Sequence, residues 1–243
     1  LLVFLLANVL TTRPERDDLA AATTAAKLET GDAEVDVDQL ARTGPGYPLL
    51  FLLPHISTQR VFSSDSTSTI GSDTSEPPPR VVHETTARVM AIISQLLIVS
   101  GILFVGWRHF ENIKLGIAAA VLYLLLPYTA MMTGRVDHAL PGALIVWAIG
   151  AYRRPVIAGG LIGLAIGIIY YPVFLLPLWC SFYWERGVRR FATGVSAALL
   201  ALVVALWCTS PTIAIFAGQL RQMFGWIFPS SVSLEGFWAL PAY

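Results

Sequence analysis

Five apolar stretches run through this sequence without a charged side chain: Val89–Trp107, Leu115–Thr133, Ala139–Tyr152, Val156–Trp184 and Phe191–Thr209. The first, second and fifth are nineteen residues each, and at about 1.5 Å per residue each is one bilayer crossing. Ala139–Tyr152 is shorter. Val156–Trp184, at twenty-nine residues, is too long for one untilted crossing and short for two. A chain built this way is expected to be an all-α integral membrane protein, a polytopic transmembrane helix bundle.

Composition agrees. Of 243 residues 55% are hydrophobic and 13% charged, about half the charged share usual in a soluble domain, and the mean hydropathy is +0.64. This excludes a disordered chain, a disulfide scaffold and a basic nucleic-acid binder. The two cysteines, Cys180 and Cys208, lie in apolar stretches. They read as buried, inert thiols without metal-ligand spacing.

Three regions follow from the pattern. Residues 1–10 (LLVFLLANVL) are half a crossing long, lack the basic start of a signal peptide, and read as the truncated end of a first transmembrane helix. The chain opens at Leu1 inside that run and reads as a fragment. Residues 11–85 form a polar loop carrying short helices, among them the Ala-rich Asp18–Thr30. Tyr47–Pro54 is too short to span. Ser63–Pro79 (SSDSTSTIGSDTSEPPP) is low-complexity and is expected to be a mobile loop. Residues 86–243 form the helix bundle, with Ser210–Tyr243 as an aromatic-bearing interfacial tail.

The formal net charge of zero conceals a division. Residues 1–85 hold 12 acids and 6 bases, and residues 86–243 hold 4 acids and 10 bases. Those bases cluster between apolar runs, at Arg108/Lys114, Arg153/Arg154 and Arg186/Arg189/Arg190. Positive loops favour the cytoplasm. For all three to lie there, Val156–Trp184 must enter and return, with Tyr170-Tyr171-Pro172 as the natural break; a single tilted helix, the alternative, puts Arg153/Arg154 and Arg186/Arg189/Arg190 on opposite sides. Each arm of the hairpin is then about 21 Å long. The acidic region, the Gly134–His138 loop and the hairpin tip share the outer side.

Acids at a membrane edge are costly to bury and point to function. Asp17 and Asp18 follow the first segment, and Asp137 sits between two apolar runs. Each is a functional carboxylate or a solvated loop acid. Asp36 and Asp38 read as solvated. Arg135 and His138 flank Asp137 and suit either an ion pair or a phosphate contact, with snorkelling at a helix end as the plain alternative. Arg88, beside His83 and Glu84 at the mouth of the Val89 segment, carries the same two readings.

The order of these features resembles the N-terminal half of the GT-C superfamily of polyprenyl-phosphate-sugar glycosyltransferases, nearest the protein O-mannosyltransferase and aminoarabinose-transferase type. The stretches that carry the resemblance are Arg16-Asp17-Asp18-Leu19-Ala20, Thr24–Gly31, Gly44-Pro45-Gly46-Tyr47-Pro48-Leu49-Leu50, Thr86-Ala87-Arg88-Val89, Arg135-Val136-Asp137-His138-Ala139-Leu140 and the Gly-rich Ala158–Pro172. The family's Lys before the last proline is absent here, with Tyr170-Tyr171 in its place, and its basic, proline-rich element is reduced to Arg42-Thr43-Gly44-Pro45.

The resemblance implies transfer of a sugar from a polyprenyl-phosphate donor to an acceptor on the extracytoplasmic face, in a bacterial inner (plasma) membrane. Asp17, with Asp18 as understudy, resembles the catalytic base. Arg135, Arg88 and Arg42 are candidate phosphate contacts, and Asp137 and His138 would orient sugar or phosphate. No cofactor is required and no metal ligand set is visible, although the outer acids leave room for a divalent cation. The expected partners are the lipid-linked donor, membrane lipid and a lipid, glycan or protein acceptor; no nucleic acid is expected. Two alternatives stand beside the enzyme: a degenerate, non-catalytic homologue or membrane scaffold, and a lipid or solute transporter.

Overall fold

The computed structural model describes residues 79–131, 134–169 and 171–209, with Leu2, Val3, Ala7, Gly46, Leu49, Ile213, Phe216 and Ala217. Asp17, Asp18, Arg42, the Asp18–Thr30 helix and the Ser63–Pro79 stretch up to residue 78 therefore lie outside the described residues, as does nearly all of the tail. Among the described residues every regular element is helical.

From residue 79 to residue 209 the described residues form, in order, α1 (Pro79–Phe110), α2 (Ile113–Leu125), α3 (Pro127–Met131), α4 (Val136–Gly150), α5 (Pro155–Ile168), α6 (Leu176–Tyr183) and α7 (Val188–Thr209). A 3-10 turn, Tyr171–Leu175, precedes α6. Among the described residues two spans, Thr85–Phe110 and Val188–Cys208, are long and apolar enough to cross a membrane; the other apolar helices there are shorter.

Proline and the start signals set the boundaries. Helix α1 begins at Pro79, earlier than the apolar run it carries, because a proline fits the first helical turn where no amide is needed. The Leu115–Thr133 run was expected as one crossing and is instead divided. Pro127 has no amide to continue α2, and Leu126 before it is extended (φ −63°, ψ 128°). Asn112 caps α2, its Oδ1 accepting from the amides of Lys114 at 3.0 Å and Leu115 at 3.4 Å. The expected break near Tyr170 is present: α5 ends at Ile168, and Ile169 is extended (φ −146°, ψ 151°).

Packing fixes the direction of each helix. Residues of α1 and α4 rise together. Ala87, Met90 and Ala91 cluster with Val136 and Leu140, Ile98 clusters with Ala139 and Ala143, and Gly101 faces Val146 and Trp147. These two helices are therefore parallel. Helix α2 returns against α1, with Gly106 against Gly116 and the Tyr123 hydroxyl on Gln95. Helix α5 returns against α4, bringing Ile168 to Ala87 and Val136.

Helices α5 and α7 are parallel and very close. Gly159 faces Phe191, Gly163 faces Val195 and Ala198, Gly167 faces Leu202, and Gly194 faces Val156 and Gly160. A Cβ on Gly163 would stand 2.8 Å from the Val195 carbonyl oxygen. This stripe of small residues lets two backbones meet, the means by which apolar helices pack where no hydrophobic effect separates helix from lipid. The segment between them, the 3-10 turn and α6, must return to the starting end of α5. Accordingly the Tyr183 hydroxyl at the end of α6 donates to the Tyr152 carbonyl just before α5. The turn into α7 holds Gly187 at φ +111°, open only to glycine without strain.

These directions bring Arg108, Lys114, Arg153, Arg154, Arg186, Arg189 and Arg190 to one end of the bundle. The turns holding Arg88, Arg135, Asp137, His138 and Tyr171 occupy the other. Gly46 is buried at that second end, against the Gly167 carbonyl and Leu202. Both cysteines were expected to be buried; Cys180 is half-buried and Cys208 is exposed.

Candidate functional site

The turn between α3 and α4 assembles the densest polar cluster among the described residues. Arg135 stands just before α4 in an extended conformation, and Asp137 falls in the first turn of that helix. There the unpaired amides and the positive end of the helix favour a carboxylate. The Arg135 guanidinium grips it at two points, Nε to Oδ1 at 3.3 Å and Nη2 to Oδ2 at 3.0 Å. The Nε2 of His138 stands 3.7 Å from the same Oδ2.

Asp137 is 8% exposed, whereas the side chains of Arg135 and His138 are 26% and 37% exposed. The acid is thus the buried anchor and the two basic side chains form its outer rim. A carboxylate held at both oxygens orients a cation rather than serving as a free base. The two-point pair fixes the plane of the guanidinium.

Two tyrosines complete this end. The Tyr128 ring meets the His138 ring edge-on at 6.4 Å. Tyr171, in the 3-10 turn after the hairpin break, lies at the same end because α5 is antiparallel to α4 and ends beside the start of α4. Arg88 lies on α1 next to Ala87, whose side chain is buried with Val136. Its Nε is buried and has no hydrogen-bond partner among the described residues. His83 and Glu84 are in helical backbone.

The structure therefore brings Arg135, Asp137 and His138 into contact and sets Arg88 at the same end. Asp17, Asp18 and Arg42 lie outside the described residues. Tyr128 and Tyr171 were not singled out as site residues by their sequence. Tyr171 was recognisable only as a hairpin tip, and Tyr128 only by its place after Pro127. No three metal-ligating side chains come together among the described residues.

Sequence reasoning also passed over a polar knot inside the bundle. Gln95, 2% exposed, accepts at Oε1 from the Tyr123 hydroxyl at 2.9 Å, and Thr129, 4% exposed, also bonds that hydroxyl. Gln95 was visible as the one amide in an apolar run. Such bonds tie apolar helices together.

The basic end is built differently. A cleft of about 690 Å³ opens there, lined in part by Ser181, Phe182, Trp184, Glu185 and Arg186. An apolar groove of about 200 Å³ runs between α1, α2 and α4, past Val105, Phe110, Leu115 and Ile149. Neither touches Arg135, Asp137 or His138. Compared with known proteins, the chain matches no family model, no curated protein and no solved structure.

Proposed function

We propose that this chain belongs to a polytopic membrane glycosyltransferase of the GT-C type, in a bacterial inner membrane, that moves a sugar from a polyprenyl-phosphate donor to an acceptor at the extracytoplasmic face. The observation that carries the proposal is the division of charge along the bundle. All three basic clusters share one end, and the Arg135–Asp137–His138 cluster sits at the other. By the positive-inside bias the latter end faces out, where a lipid-linked sugar would be presented.

The chemistry needs a carboxylate to take the acceptor proton, a cation to balance the leaving lipid phosphate, and an apolar wall for the polyprenyl tail. Asp17, with Asp18 behind it, is the proposed base. Arg135, held in plane by Asp137, is the proposed phosphate contact, with Arg88 and Arg42 as further cations and His138 orienting sugar or phosphate. The exposed Leu122, Leu125 and Leu126 beside Tyr128 supply apolar surface at the same end. No nucleotide or metal is called for, and a divalent cation is compatible with the outer acids.

The test is transfer of labelled sugar from a panel of polyprenyl-phosphate donors in membranes carrying the full-length protein. Asp17→Asn should lower the rate about 10²–10⁴-fold, Asp18→Asn less, and Asp36→Asn and Asp38→Asn hardly at all. Full activity in the Asp17→Asn/Asp18→Asn double variant removes the base assignment. One observation favours a second, non-catalytic reading: Arg135 and Asp137 satisfy one another so fully that they also serve as a brace at the start of α4. Absence of transfer with every donor selects that reading.

A further inference from the structure

We propose that the basic end of the bundle binds one anionic phospholipid, its phosphate seated between Arg153 and Arg186 and its acyl chains lying along the exposed face of α6. The inference rests on the membrane part of the proposed function and is independent of sugar transfer.

Arg153 and Arg186 come from different loops and are braced on neighbouring rings. The Nε of Arg153 donates to the Tyr152 hydroxyl at 3.1 Å, and its guanidinium lies 5.7 Å from the centre of that ring. The Arg186 guanidinium lies 5.1 Å from the centre of the Phe182 ring. The two rings meet edge-on at 6.2 Å. The bond from the Tyr183 hydroxyl to the Tyr152 carbonyl ties the two loops together.

Two cations are thus held over adjoining rings, where both attract an anion. Among the described residues the ion pairs are those of Asp137 with Arg135 and His138, and none involves an arginine of this end. Glu185 lines the same cleft as Arg186 without pairing to it. A phosphate accepts from two guanidinium forks at once, which a single carboxylate does less well.

The surface beside this pair selects a lipid over a soluble anion. Phe174, Leu178 and Phe182 recur at every fourth position and are 80%, 69% and 40% exposed; Trp184 is 74% exposed. From Phe174 through α6 to Tyr183 the chain rises about 15 Å at 1.5–2.0 Å per residue, close to the roughly 15 Å depth of one leaflet's hydrocarbon. An apolar track about one leaflet long, headed by two arginines, with a cleft of about 690 Å³ beside Arg186, has the dimensions of a single phospholipid. Cytoplasmic leaflets carry anionic lipid, which juxtamembrane cations attract.

The full-length protein in detergent is titrated with dioleoyl phosphatidylglycerol, dioleoyl phosphatidylcholine and inorganic phosphate, and bound lipid is read by native mass spectrometry. Retention of one phosphatidylglycerol in preference to phosphatidylcholine is expected. Arg153→Ala/Arg186→Ala should lower that affinity about thirtyfold, the weight of two juxtamembrane cations. Arg108→Ala/Lys114→Ala at the same end should leave it unchanged. Equal retention of the two lipids, unchanged affinity in the Arg153/Arg186 variant, or displacement of lipid by millimolar phosphate overturns the proposal.

A second measurement uses the unmutated arginines. Phosphatidylglycerol with brominated acyl chains should quench fluorescence that is missing in Trp184→Phe, and brominated phosphatidylcholine should not. Equal quenching by both overturns the site. Failure to retain either lipid overturns the site, whereas loss of sugar transfer alone leaves it standing.

Discussion

Asp137 shows how one side chain can be anchored by local structure. Its neighbour Arg135 grips both carboxylate oxygens, and the first turn of α4 favours its charge. Asp137→Ala would leave the half-buried guanidinium without that partner and should cost about 1–3 kcal/mol, seen as a lowered melting temperature in detergent. If Arg135 also contacts a donor phosphate, Arg135→Lys should raise KM for the donor more than it lowers stability, because an ammonium keeps the charge but not the fork. The Gln95–Tyr123 pair is a separate case. Tyr123→Phe strands a buried amide oxygen and should cost about 1–2 kcal/mol, while Tyr123→Phe with Gln95→Leu should recover most of that. A double-mutant cycle on thermal unfolding measures the coupling. The pairing of Arg135 with Asp137 was legible in the sequence, since the two are neighbours across one helix start. The knot at Gln95 was not, because its partner lies 28 residues away on a helix of opposite direction.

Helix boundaries depended on prolines that act differently in different places. Pro172 follows the end of α5, and the hairpin it signals was legible. Pro127 ends α2, and length alone concealed it, because nineteen apolar residues look like one span whether or not one of them is a proline. Pro141 lies within α4 without ending it. Close backbone contact governs the α5–α7 pair. A side chain at Gly159 or Gly194 would collide with a facing backbone carbonyl, whereas a Cβ on Gly160 would have its nearest neighbour at 4.0 Å. Gly159→Leu and Gly194→Leu should therefore destabilise the bundle by about 1–3 kcal/mol or more, and Gly160→Ala should be nearly neutral. Melting of the solubilised protein, followed by circular dichroism, separates the two outcomes. The run of glycines was visible in the sequence. Its partner helix was not, because a small-residue stripe carries no mark of what it faces.

At the scale of the whole molecule, the packing sets three basic clusters at one end and the Arg135–Asp137–His138 cluster at the other. In intact cells, single cysteines at 114, 153 and 189 should resist an impermeant thiol reagent added outside, and one at 134 should react. Labelling at 153 or 189 would reverse the bundle and place the candidate site in the cytoplasm. The all-helical character, the position of the hairpin break and the grouping of the bases were all determined by the sequence alone. Each follows from properties summed along a continuous stretch: uncharged length, a proline, a cluster of arginines between apolar runs. The tertiary structure decided which helices run parallel, that Tyr171 returns to the end of the bundle that holds Asp137, and that Arg153 and Arg186 share adjoining rings. Those depend on which surface each helix buries against which neighbour, and such choices are made between segments far apart in the chain, where no local pattern records them.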